Sequence, residues 1–182
     1  IKAYNYLHTV SGTFTIYNNP TIHILNAFTK SNSSYATFNG GAANLYFEGN
    51  FINAAGSFTA STSNTFFEGN FSKTGGSFQH NNGTVHFTEG TSPFGTSTGS
   101  ETFYKVVFNK SDGNSLNIDN NDALLILNTV QFTNGLVNTG TISTYNNVTV
   151  TSGYDGGSAR LKFVGSSTQL FDLTGATDKY DG

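Results

Sequence analysis

The chain has 182 residues, of which 36% are hydrophobic and only 10% charged, with 21 glycines, a net charge of −3 and no cysteine, methionine or tryptophan. That is enough apolar material for a core, which excludes compositional disorder, and too few strong helix formers for a helical bundle. One arginine, Arg160, and seven scattered lysines leave no phosphate-binding footprint for nucleic acid, and the absence of cysteine excludes disulfides, thiolate metal sites and cysteine nucleophiles.

In chain order, short runs rich in β-branched and aromatic residues alternate with Gly, Asn and Asp. Lys2-Ala-Tyr-Asn-Tyr6 is β-prone, and Thr13-Phe14 and Ile22-His-Ile24 follow, separated by Asn18-Asn-Pro20. After the loop-like Lys30-Ser-Asn-Ser-Ser34 and then Thr37-Phe38, a clear repeat begins. Asn44-Leu-Tyr-Phe-Glu-Gly-Asn-Phe51 recurs as Asn64-Thr-Phe-Phe-Glu-Gly-Asn-Phe71, 20 residues on and identical at six of eight positions. The same step relates Gly56-Ser-Phe58 to Gly76-Ser-Phe78 and carries Phe67 to Phe87 in Thr84-Val-His-Phe-Thr88. Downstream, Glu101-Thr-Phe-Tyr-Lys-Val-Val-Phe108, Ser115-Leu-Asn-Ile118, Ala123-Leu-Leu-Ile-Leu127, Val130-Gln-Phe132, Gly140-Thr-Ile142, Val148-Thr-Val150 and Arg160-Leu-Lys-Phe-Val164 keep the spacing with less identity. The longest apolar run, Ala123 to Leu127, is strand-sized and far short of the roughly 20 residues of a helical membrane span.

Strand-length runs recurring two or three per 20-odd residues predict an all-β fold, a right-handed parallel β-solenoid with coils of about 20–24 residues. One segment spans residues 1–182, with regular 20-residue repeats over about 37–91 and looser ones over about 101–175, where a β-sandwich-like module is the competing architecture. With a step of about 4.8 Å per coil, eight or nine coils make a rod about 40 Å long. The start at Ile1, with neither Met nor a signal-like stretch, reads as a mature or excised piece.

The repeat assigns faces, because alternate strand residues point the same way. Ile24, Phe47, Phe67 and Phe87 are predicted to point inward as one ladder, and Phe14, Phe38, Phe58 and Phe78 as another, with Phe28, Phe51 and Phe71 a third. Between the inward positions lie His23, Tyr46, Phe66 and His86, expected to stack outside as an interaction stripe. Gly49 and Gly69 are expected to turn a corner in the left-handed region, with the amides of Asn50 and Asn70 stacked beside them. Glu48 and Glu68 then sit one above the other, and like charges that close need solvent, a shared cation or a lysine to offset them.

The candidate metal ligands are weak: Glu48 and Glu68 as a pair, and Asp119 and Asp122 in Asp119-Asn-Asn-Asp122, oxygen donors of the kind calcium takes, with no loop of known calcium-binding spacing. No cofactor is expected. His23 and His86 lie three coils apart, which excludes zinc ligation by that pair. Serine-nucleophile motifs are absent, and Arg160 has no acidic neighbour in sequence, so no catalytic residue is assigned and the chain is not expected to be an enzyme. Thr13-Phe-Thr15, Thr139-Gly-Thr141 and Thr149-Val-Thr151 occupy no single repeat position, so no flat threonine face is specified.

Thr102-Phe-Tyr-Lys-Val-Val-Phe-Asn-Lys-Ser111, Asn117-Ile-Asp-Asn120, Thr129-Val-Gln-Phe-Thr-Asn-Gly-Leu-Val-Asn-Thr-Gly140 and Gly157-Ser-Ala-Arg-Leu-Lys-Phe-Val-Gly-Ser-Ser-Thr-Gln-Leu-Phe171 resemble repeats of large secreted cell-surface proteins of Bacteroidota-type bacteria. The units before residue 100 resemble β-solenoid passengers of adhesins and haemagglutinin-like filaments. The resemblance implies an extracellular, cell-surface rod segment, structural and adhesive. Its partners would be copies of itself or neighbouring segments of a longer chain, joined end to end through β-strand edges, with a glycan or surface ligand on its side. The alternative is a carbohydrate-binding or polysaccharide-processing β-helix of tailspike type, in which Glu48 and Glu68 would supply the acids.

Overall fold

The computed structural model of the chain describes residues 1–8, 12–31 and 35–176, with backbone alone for Leu7 and His8. All regular structure among these residues is β, and every ladder is parallel. Strand β1 (Lys2–His8) lies against the first full coil, β2 (Gly12–Thr15) and β3 (Thr21–Lys30). Three coils of three strands follow: β4 (Ala36–Asn39), β5 (Asn44–Phe47) and β6 (Asn50–Asn53); β7 (Ser57–Thr59), β8 (Asn64–Phe67) and β9 (Phe71–Lys73); β10 (Ser77–Gln79), β11 (Thr84–Glu89) and β12 (Ser92–Thr96). The fifth is β13 (Ser100–Phe103), β14 (Lys105–Lys110) and β15 (Ser115–Ile118). The last three have two strands each: β16 (Ala123–Ile126) with β17 (Val130–Asn138), β18 (Thr141–Thr144) with β19 (Val148–Gly156), and β20 (Arg160–Phe163) with β21 (Phe171–Gly175).

The fold is therefore a parallel β-solenoid of about eight coils, and the solenoid continues through the looser repeats after residue 100 rather than giving way to a sandwich. Two sides of each coil form one continuous sheet, because β3, β17 and β19 run through the corner that β5–β6, β8–β9, β11–β12 and β14–β15 turn. The third side is built from two four-stranded sheets, β2-β4-β7-β10 and β13-β16-β18-β20.

Register follows side-chain identity. Phe38, Phe58 and Phe78 pair in succession, as do Phe47 and Phe67 and then Phe67 and Phe87. Like rings stack coil on coil: Phe38 on Phe58 at 5.0 Å, Phe28 on Phe51 at 5.1 Å and Phe71 on Phe94 at 4.7 Å, with interplanar angles of 7°, 4° and 12°. Rings of different ladders meet edge to face, as Phe51 and Phe58 do at 78°. Each such contact adds about 0.5–1.5 kcal/mol beyond area burial, so a slip of register would break several at once. From the fifth coil on aliphatic side chains take over most of the filling, with Leu116, Ile118, Leu124, Ile126, Val137, Ile142, Val148 and Val150 buried beside Phe103, Phe108 and Phe132. Of the expected inward residues, Ile24, Phe38, Phe47, Phe58, Phe67, Phe78 and Phe87 are buried, whereas Phe14 is 45% exposed. Phe14 lies on the outermost strand of its sheet, where Tyr6 packs edge-on against it at 5.4 Å.

The glycine expectation needs correcting. Left-handed backbone occurs at Gly56 and Gly76, one coil apart, with φ of 66° and 58°. Gly49 and Gly69 are required for a different reason, closeness. A Cβ on Gly69 would lie 2.4 Å from the Gly49 carbonyl oxygen, and one on Gly49 would overlap that of Asn26.

Candidate functional site

The sequence-predicted stripe is present on the outer face of the first sheet. His23, Tyr46, Phe66 and His86 occupy one register position of β3, β5, β8 and β11. Their rings stack at centroid distances of 4.5, 4.2 and 4.4 Å, with interplanar angles of 8°, 4° and 19°. All four are half-buried. Stacked this way, Tyr46 and Phe66 have both faces covered by neighbouring rings and turn their edges outward. The column continues on one side into Lys2 and on the other into Val107. A sugar packs on the open face of a ring, so edge presentation favours a protein neighbour over a glycan on this column.

Polar groups flank the rings. His23 Nδ1–H donates to Glu48 Oε1 at 2.6 Å, and His86 Nε2–H to Asn64 Oδ1 at 3.0 Å. Asn64 Nδ2 in turn donates to Asn44 Oδ1 at 3.1 Å, an amide ladder running along the axis. Burial holds His86 below the usual histidine range, so it stays neutral here. Burial also raises the Glu68 carboxyl, helped by the charges of Glu48 and Glu89, while His23 and Lys110 pull it back.

The acidic stack is thus offset by the protein itself. Lys110, at an inward position two residues after Phe108, is fully buried, and its ammonium donates to the Thr88 carbonyl at 2.7 Å and Ser92 Oγ at 2.8 Å. Burial pushes its pKa down to about 8, against the pull of Glu89 and Glu68. With a folded pKa below the unfolded one of about 10.5, the native state binds fewer protons between those values, so stability should rise as pH increases across that window. From pH 7.5 to 10 the gain in unfolding free energy is expected to be on the order of 2–3 kcal/mol. Urea titrations across that range check it, and Lys110→Met should lack the rise. Tyr6, pushed up to about 12 by burial, opposes further gain above pH 10.

Neither pair of weak metal candidates gains a third ligand among the described residues. Glu48 is bonded to His23, and Glu68 lies one coil from it. Asp122, buried, accepts the Thr96 N–H at 2.5 Å, and Asp119 is exposed at the start of the same turn, its carbonyl accepting the Asp122 N–H. Among the described residues no three His, Asp or Glu side chains gather as a metal cluster.

A second polar corner, between the β12 and β13 sides, was not read from the sequence. Lys30, Asn53 and Lys73 point inward there at matching positions of β3, β6 and β9. Lys30 Nζ donates to the Ala55 carbonyl at 2.6 Å. Lys73 Nζ lies 3.2 Å from Glu101 Oε2, both side chains under one-tenth exposed, and donates to Thr98 Oγ1 at 3.3 Å. The signal was there: Phe28-Thr-Lys30, Phe71-Ser-Lys73 and Phe108-Asn-Lys110 all place a lysine two residues after an inward Phe, and period-two alternation makes it inward too.

No family model, curated protein or solved structure matches this chain.

Proposed function

We propose that the chain is a segment of an extracellular, cell-surface rod, structural and adhesive in role, which stacks on further coils of a longer chain or on a second copy. The observation that carries this reading is the uninterrupted parallel stack together with the exposed apolar residues of the last coil among those described. In that coil Phe163, Phe171 and Leu173 are 43–45% exposed, whereas Thr144, Val148 and Val150, one coil earlier, are buried. Among the described residues β20 and β21 are the last strands of their sheets, and a strand edge with apolar filling beside it is a template for another coil. The half-buried column of His23, Tyr46, Phe66 and His86 supplies an edge-on stripe for lateral contact between rods.

Electron microscopy at micromolar concentration tests the reading. Filaments one coil wide are expected, unchanged by EDTA, because Glu48 and Asp122 already have protein partners. Discrete short particles at every concentration would overturn end-to-end stacking. In Tyr46→Ser/Phe66→Ser, side-by-side bundling should fall while the far-ultraviolet β signal stays. Unchanged bundling would remove the stripe from the assembly.

A further inference from the structure

A second outward column runs up the other half of the rod. Backbone bonds from Leu127 N to the Phe103 carbonyl (3.0 Å), Tyr145 N to that of Ile126 (2.9 Å) and Val164 N to that of Thr144 (2.9 Å) extend the β13-β16-β18-β20 ladders by one residue. They set Tyr104, Leu127, Tyr145 and Val164 one above another on successive coils. Leu127, Tyr145 and Val164 are 40–47% exposed, and Tyr104 is half-buried with the Lys105 ammonium 5.9 Å over its ring. Tyr104 stacks on His80 of the preceding coil at 5.9 Å and 19°, and Leu127 separates it from Tyr145, whose neighbours in the column are both aliphatic.

The sheet beside this column carries one sign of charge. Its outward positions read Ser100, Ala123, Thr141 and Arg160 in one register and Thr102, Leu125, Ser143 and Lys162 in the next. Arg160 and Lys162 are exposed, Lys105 flanks the column, and no carboxylate points outward from these four strands, since Glu101 is buried against Lys73. The rest of the outer face is hydroxyl and methyl. No pocket opens among the described residues, so a partner must lie along a flat, narrow track.

We propose that this face is the adhesive surface of the rod and that its partner is a linear anionic polysaccharide laid along the axis. The proposal names a partner for the adhesive rod and rests on that reading. Three features select the chemistry. A flat apolar track one residue wide, with no pocket along it among the described residues, suits a single extended chain. Tyr145, 47% exposed between the aliphatic side chains of Leu127 and Val164, presents a ring on which a pyranose unit of an extended chain can pack. Arg160, Lys162 and Lys105 pair with carboxylates or sulfates, the guanidinium by a two-pronged contact.

The test is titration calorimetry of the intact chain with polygalacturonate, alginate, hyaluronate and dextran sulfate, beside fully methyl-esterified polygalacturonate and a single-stranded DNA oligonucleotide. At least one anionic glycan should bind, with affinity falling as salt rises. Tyr145→Ala should weaken that binding about tenfold, and Arg160→Gln/Lys162→Gln should flatten the salt dependence. Both changes lie on exposed positions, and circular dichroism would establish that the fold persists. Binding to none of the four polyanions would overturn the proposal, as would equal binding of the esterified polymer, equal binding of the oligonucleotide, or binding unmoved by both variants. Sedimentation in the absence of glycan supplies a further check: a dimer that Tyr145→Ala abolishes would assign the face to a second copy instead. Filaments seen by microscopy without glycan binding would leave the rod standing and this face without its partner, so the two readings fail separately.

Discussion

Phe51→Ala is expected to lower the free energy of unfolding by about 3–5 kcal/mol. The ring is fully buried, stacks on Phe28 and Phe71 at 5.1 Å each, and meets Phe47, Phe58 and Phe67 edge-on at 5.2, 4.8 and 4.9 Å. Truncation leaves a cavity walled by five rings drawn from three coils. The β6 backbone, laddered to β3 on one side and β9 on the other, cannot collapse to fill it. Because each coil contacts only its neighbours, the loss weakens two inter-coil interfaces at once. Phe14→Ala provides the contrast: with 45% of the side chain exposed, the loss should be about 1 kcal/mol. Urea unfolding of the two variants in parallel decides the matter. Equal losses would mean that the stack relaxes around cavities and that ring ladders are not what holds its register.

The contrast between those two phenylalanines shows what could be read from sequence. Identity at a step of 20 residues made the ladders of Phe38, Phe58, Phe78 and of Phe47, Phe67, Phe87 visible, and alternation then put His23, Tyr46, Phe66 and His86 outside. Whether a ladder's first member is covered depends on what lies beyond it, which alternation does not contain, and so Phe14 was misjudged. After residue 100 Leu, Ile and Val replace most of the Phe filling, and β17 and β19 run straight through a corner that the second to fifth coils mark with a break. Both changes erase the cues that fix a repeat, although the parallel stack itself persists.

The sites divide in the same way. The ring stripe has chemical similarity from coil to coil, whereas Tyr104, Leu127, Tyr145 and Val164 alternate aromatic and aliphatic side chains and are unevenly spaced along the chain, so only the observed register unites them. The stacked glutamates posed a question of charge whose answer, His23 on one side and buried Lys110 on the other, lies in residues one or more coils away.

The buried ion pair gives the sharpest consequence of the corners. Lys73→Met is expected to cost about 3–5 kcal/mol at pH 8, because it leaves the Glu101 carboxylate buried with only the Thr102 N–H, at 3.0 Å, to satisfy it. Burial already raises the Glu101 carboxyl, and Lys73 is among the groups that restrain the shift; removing the lysine raises it further. An acid whose folded pKa lies above its unfolded value stabilises the native state most below the unfolded pKa and loses that contribution as pH rises through the folded one. The Lys73→Met deficit should therefore shrink as pH falls from 8 to 5, the carboxyl taking up a proton in the native state. In Lys73→Met/Glu101→Leu the charge is gone altogether, and stability should return to within about 1 kcal/mol of the parent chain. A deficit that is the same at pH 5 and pH 8 and survives in the double variant would mean that Lys73 acts through the packing of its aliphatic stem beside Phe71, and that the ion pair contributes nothing to holding this corner closed.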